Sequence, residues 1–160
     1  MEQLWAPWRM GYIRLAKSGK EEGCFLCDNP KEIPSEENLV LARGDYNSII
    51  MNRYPYAAGH LMVAPLRHTA LLEELNPEEL LEHFQLVQKC IRTIRSLWSP
   101  EGFNMGMNMG RVAGAGVDQH IHTHIVPRWA GDTNFMPIIA ATDVVNASLK
   151  EIYRELKPLF

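Results

Sequence analysis

The chain has 160 residues, 46% of them hydrophobic and 22% charged, with a formal net charge of -3. That length suits one domain with a packed core, and the composition excludes a disordered chain. No basic excess is present to hold a phosphate backbone, no apolar run approaches the ~18 residues of a membrane span, and residues 1–20 show no apolar run of the kind a signal peptide needs. The expectation is a soluble, cytoplasmic protein with neither a nucleic-acid nor a membrane partner.

Residues 1–20 are aromatic and basic, and Trp5 and Trp8 within them read as packing or dimer contacts. Residues 21–37 carry Gly23, Pro30 and Pro34, which punctuate a loop around Cys24-Phe25-Leu26-Cys27. In a reducing compartment a C-x-x-C pair is more often a metal site or a redox pair than a structural disulfide. Leu39–Arg43, Asn47–Asn52 and His60–Ala64 are predicted strands, linked closely enough for antiparallel pairing.

The long helix is the clearest element. Asn76 is a good cap, Pro77 suits the first helical position, and Glu79 stands three residues after the cap. Leu80, Phe84, Val87, Ile91, Ile94 and Trp98 then form one apolar stripe. Cys90 reads as core. His83 falls off the stripe and reads as solvated. Glu73, Glu74, Glu78 and Glu79 read as cap and helix-dipole charges.

Phe103–Met109 is a predicted strand, Arg111–Asp118 a glycine-rich loop, and Gln119–Val126 a strand stopped by Pro127. A last helix runs through Val145, Leu149, Ile152 and Leu156 to Pro158. The methionines, Met62, Met105 and Met136 among them, read as core filler. About five strands and two helices in an order that is not βαβα predict an α+β domain with an antiparallel sheet.

Half of the six histidines fall in His120-Ile121-His122-Thr123-His124. The β-branched residues between them make this a strand, so all three imidazoles share a face, spaced ~7 Å apart along the backbone. Like charges so close disfavour joint protonation, and a neutral imidazole is a nucleophile, a base or a metal ligand. Three successive same-face residues hardly converge on one ion, which weighs against a three-histidine metal site. Just upstream, Asn108-Met109-Gly110 leads into Gly114-Ala115-Gly116, whose amides can form an anion-binding nest. An anion cradle beside an imidazole nucleophile is what nucleotidyl transfer needs.

Gln119-His120-Ile121-His122-Thr123-His124-Ile125-Val126-Pro127 resembles the signature of the histidine triad (HIT) family. Asn52-Arg53-Tyr54-Pro55-Tyr56-Ala57-Ala58-Gly59-His60 resembles its Fhit-like branch. Leu4–Arg9 and Arg128–Met136 resemble a bacterial branch related to diadenosine tetraphosphate phosphorylases. The resemblance divides the single domain 1–160 into an N-terminal extension (1–38), a HIT core (39–129) and a C-terminal extension with a helix (130–160). It implies a HIT-like fold and a homodimer that continues the sheet.

What the resemblance implies for the site is specific. His122 attacks the α-phosphorus of an adenine nucleotide, forming a nucleotidyl-imidazole. His124 and Asn108, with Gly114, Ala115 and Gly116, hold the phosphates. Asn52 holds the ribose, and Leu41 or Ile50 would flank the base. His60 lies near this cluster without an assigned role. Ala115-Gly116-Val117 stands where many relatives have a Gln, Ser or Thr donor, so backbone amides must serve instead. The substrate implied is a dinucleoside polyphosphate, cleaved with water or phosphate as acceptor. A nucleoside phosphoramidate hydrolase and a low-turnover nucleotide-binding regulator are the alternatives. Cys24, Cys27, His68 and His120 resemble the zinc ligands of superfamily members such as galactose-1-phosphate uridylyltransferase. A Cys2His2 set holds zinc tetrahedrally with no open position, hence structurally.

Overall fold

Five strands form a single antiparallel sheet in the computed structural model, which describes residues 23–132 and 148–160. They are β1 (Val40–Arg43), β2 (Asn47–Met51), β3 (Leu61–Pro65), β4 (Gly102–Met107) and β5 (Thr123–Arg128). Their order across the sheet is β1-β2-β3-β5-β4, which leaves β4 at an edge. Three α-helices are described: a single turn, α1 (Phe25–Asp28), the long α2 (Pro77–Trp98) and α3 (Leu149–Leu156). No described helix is long and apolar enough to cross a membrane. The expectations for Trp5, Trp8, Met136 and Val145 lie outside the described residues.

The start of α2 follows from its first residues. The Asn76 side chain accepts the Glu79 N–H at 2.8 Å and the Glu79 carboxylate accepts the Asn76 N–H at 2.8 Å, closing a capping box. Arg67 pairs with the Glu79 carboxylate at 3.0 Å and fixes this end to the segment after β3. Ser148 and Glu151 form the same box on α3. The Tyr153 hydroxyl then donates to the Val40 carbonyl at 3.1 Å, tying α3 to β1.

The buried face of α2 is rotated from the apolar stripe. It carries Glu79, His83, Val87, Cys90 and Ile94, while Phe84 is 45% exposed. His83 is fully buried rather than solvated. Its Nδ1–H donates to Asn47 Oδ1 (2.9 Å) and its Nε2 accepts the Thr123 hydroxyl (2.6 Å). Asn47 in turn donates to the Glu79 carbonyl and the Glu82 carboxylate, each at 3.0 Å. A polar side chain with both ring nitrogens satisfied can occupy a core position, which hydrophobic periodicity does not register.

Three further expectations change. Pro127 lies inside β5 opposite Phe103, beyond the last β3–β5 pair (Leu61 with Ile125), where its missing N–H removes no bond to β3. Leu41 and Ile50 are core residues at 0% and 1% exposure, which leaves neither with a surface for a base to stack on. Met62 is buried, but Met105 and Met109 are more than half exposed at and beyond the edge strand.

Candidate active site and metal centre

Strand alternation orients His124. Asn47 and Thr123 both reach His83, so their face of the sheet looks toward α2. His124, the next residue of β5, therefore looks the opposite way. β5 begins only at Thr123, so His120 and His122 precede the ladder instead of lying within it. The His122 and His124 rings converge to 4.7 Å, edge to face.

His122 has a defined tautomer. Its Nδ1–H donates to the His120 carbonyl at 2.8 Å, which leaves the lone pair on Nε2. The ring is 5% exposed. Among the described residues, Ser48 Oγ is the buried side-chain polar atom that lacks a partner, and His122 Nε2 is not such an atom. That nitrogen, engaged in none of the hydrogen bonds described, therefore keeps a solvent-reached edge. Burial holds the imidazole below its ordinary pKa, opposed by the bond to the His120 carbonyl, so the ring is neutral near pH 7.

A second histidine sets the tautomer of His124. The Tyr56 N–H donates to His60 Nδ1 at 3.1 Å, so a neutral His60 carries its proton on Nε2. That Nε2–H points at His124 Nδ1, 2.9 Å away, and makes His124 Nδ1 an acceptor. The remaining proton of a neutral His124 is then on Nε2, a donor for an anion. Burial, then repulsion from His124 and His122, lowers the His60 pKa to about 3, so His60 stays uncharged. This role of His60 was not readable from the motif. The Gly59-His60 pair marked the position, but only the fold brings it beside His124.

Asn52 belongs to the same cluster, its Nδ2 lying 3.4 Å from His60 Nε2. Its Oδ1 accepts the Tyr54 N–H at 2.9 Å in a local turn, so its NH2 group is what remains to meet a ligand. Asn108 and His124 line one groove of about 240 Å³ with Tyr56, Asn104, Met105, Gly106 and Val126. The glycine loop departs from a cradle of open amides. A turn at Arg111–Ala113 directs the Gly114 N–H onto the Arg111 carbonyl (3.0 Å) and the Ala115 N–H onto the Gly110 carbonyl (3.3 Å). The Arg111–Asp118 ion pair at 3.0 Å closes the loop on itself. Two of the three expected backbone donors are thus engaged within the loop.

His120 turns to a different cluster. Its Nδ1 lies 3.3 Å from both Cys24 Sγ and Cys27 Sγ, and His68 Nδ1 lies 3.2 Å from Cys27 Sγ. The four ligand atoms all fall within 4.8 Å of one another. A zinc tetrahedron places sulfur and nitrogen ligands about 3.5 Å apart, so this donor set fits the ion. The His120 Nε2–H donates to the Pro65 carbonyl at 2.8 Å, which fixes the tautomer that frees Nδ1 for a metal. Burial, reinforced by Cys24, pushes the Cys27 thiol up to about 11, so a cation is needed to hold Cys27 as a thiolate. With His120 facing the cysteines, the three triad histidines do not make one metal site.

The comparisons with known proteins agree with this geometry. Residues 32–131 match the family model described as HIT domain. The chain is 40% identical over 161 residues to a Mycobacterium tuberculosis protein named AP-4-A phosphorylase, covering 98% of this chain and 83% of that protein. It is 31% identical over 121 residues to the asymmetrical bis(5'-nucleosyl)-tetraphosphatase of Schizosaccharomyces pombe, covering 76% of this chain and 63% of that one. A solved structure of a zinc-bound histidine triad family protein from Mycobacterium smegmatis shares the fold, with a TM-score of 0.64 at 24% identity over 84% of this chain and 90% of that one. A sheet that presents His124 away from its long helix, with His122 beside it and His120 turned to a cysteine pair, belongs to a chain of the HIT domain family.

Proposed function

We propose that this chain is a nucleotidyl-transfer enzyme of HIT type that splits dinucleoside polyphosphates at the α-phosphate. The observation that carries the reading is the His122 Nδ1–H bond to the His120 carbonyl, which commits the lone pair of a neutral imidazole to Nε2. That pair forms a bond to the α-phosphorus. The bond from phosphorus to the bridging oxygen breaks, and its electrons leave with a nucleoside polyphosphate anion. An acceptor oxygen then attacks the same phosphorus, and the N–P electrons return to Nε2. Water as acceptor gives the nucleoside monophosphate and releases a proton to solvent, while inorganic phosphate gives the nucleoside diphosphate. The names of the two relatives, a phosphorylase and a tetraphosphatase, support this substrate class.

In this reading His124 donates its Nε2–H to the phosphate, Asn108 and the Gly116 N–H contribute further donors while Gly114 and Ala115 shape the turn, and the Asn52 amide meets the ribose. Cys24, Cys27, His68 and His120 would hold a structural zinc. The edge position of β4 supports a homodimer in which the sheet continues into a second copy. Cysteines kept as thiols suit a reducing cytoplasm.

Quenching with detergent at alkaline pH, where a phosphorus–nitrogen bond survives, during turnover of diadenosine tetraphosphate labelled in the α-phosphate tests the nucleophile. Label stays on the wild-type protein and is lost in His122→Ala. Label persisting in that variant sinks the assignment, and wild-type protein that binds nucleotide without acquiring label is a regulator. Product analysis with and without phosphate then assigns the acceptor.

A further inference from the structure

The groove beside His124 lies on the opposite side of β5 from Asn52. Asn52 follows β2, two strands away across β3, whereas the groove runs over β5 and the edge strand β4. The register gives it a direction. Gly106 faces His124 across the ladder, and Asn104 faces Val126, so the groove passes His124 and continues away from His122. In-line displacement at phosphorus puts the departing oxygen opposite the attacking nitrogen. With the α-phosphate held between His122 and His124, a leaving group opposite His122 departs toward Asn104 and Val126.

The lining suits a nucleoside. Tyr56 is 43% exposed and offers an aromatic face, and Met105, 52% exposed, lies at the rim. Arg128 Nη1 donates to Asn104 Oδ1 at 2.9 Å, which turns the Asn104 amide N–H groups into donors for ring nitrogens or carbonyls. Its volume, about 240 Å³, is below the ~300–1,000 Å³ of a site that encloses a whole ligand, and matches one base held on an open surface. Gly106 keeps the floor clear. A Cβ there would meet nothing within 4 Å, and its backbone is not in the left-handed region, so the missing side chain leaves groove space without a conformational need for glycine.

We propose that this groove is the subsite for the second nucleoside, the one that departs with the leaving polyphosphate. The proposal rests on His122 being the nucleophile and adds what selects a dinucleoside substrate over one with a single nucleoside.

The test compares diadenosine tetraphosphate with adenosine 5'-tetraphosphate, which has the same phosphate chain and lacks the second nucleoside. Wild-type kcat/KM is expected to favour the dinucleoside by about tenfold or more, and Gly106→Leu to reduce that preference to within threefold. Asn104→Ala, which adds no bulk, is expected to lower the same ratio. A wild-type ratio near one, or an unchanged ratio in both variants, overturns the subsite. The quench-labelling of His122 reports separately on the nucleophile. If wild-type protein acquires no label, the same two ligands are compared by dissociation constant in wild type and Gly106→Leu, and an unchanged binding ratio again overturns the subsite.

Discussion

His120 touches two centres at once: its ring nitrogen lies 3.3 Å from both cysteine sulfurs, and its carbonyl oxygen accepts the His122 Nδ1–H at 2.8 Å. Anything that holds the ring also holds the carbonyl that orients the nucleophile. Chelation of bound metal is therefore expected to lower the melting temperature and to cut kcat about 10-fold or more. Zinc added back restores wild-type protein but not Cys27→Ser. Metal content, melting and turnover measured on the same samples check this, and full activity with well under one zinc per chain contradicts it.

His83 makes stability depend on pH. Burial lowers its pKa to about 4, against a smaller upward pull from Glu82, while an unfolded histidine titrates near 6.5. The folded state binds fewer protons between those values, so stability is complete above about pH 6.5 and falls as the pH drops toward 4. From pH 7 to pH 5 this residue alone is expected to cost about 2 kcal/mol. His60, lowered to about 3 by burial, acts in the same direction. Urea unfolding at the two pH values measures the loss, and His83→Gln is expected to flatten the slope.

The expected solvation of His83 failed for a physical reason that the other assignments make clear. Asn76, Pro77 and Glu79 determine a local structure among themselves, so the helix start was legible. The cysteine pair was legible because metal ligation restricts residue types, whereas His68 and His120 were named through the resemblance to zinc-binding superfamily members. The environment of His83 depends on Asn47 and Thr123, 36 and 40 positions away, and no local pattern reports them. The same holds for His60, whose partner His124 is 64 positions away. The glycine loop misled in the other direction. Its composition signalled open amides, whereas the Arg111–Ala113 turn engages two of them.

Thr123 links α2 to the strand that carries His124. Thr123→Val keeps the side-chain shape but leaves His83 Nε2 buried without its donor, at an expected cost of ~1–3 kcal/mol. Thr123→Ser restores the hydroxyl and is expected to recover most of that loss. Denaturant midpoints of the two variants decide it. Equal midpoints would mean that the 2.6 Å contact adds nothing.

His60→Leu removes the Nε2–H that points at His124 Nδ1 and frees His124 to adopt either tautomer. About a tenfold or greater loss of kcat is expected, because an orienting group acts by fixing which nitrogen carries the proton. His60→Gln, which can still present an amide donor, is expected to retain more activity. Parallel turnover assays check the order, and a His60→Leu enzyme with wild-type turnover removes His60 from the positioning chain.

Cys24 and Cys27 find His120 across 96 and 93 positions. At a synthesis rate of about 5–20 residues per second, the thiols wait roughly 5 to 20 seconds before their partner imidazole has been made. The cluster closes the longest loop among the contacts described at this centre, and such distant pairings form late and slowly. A cation would therefore be captured at this centre only after His120 has been made, and a newborn polypeptide gains its oriented nucleophile only as its earliest described segment is finally clasped.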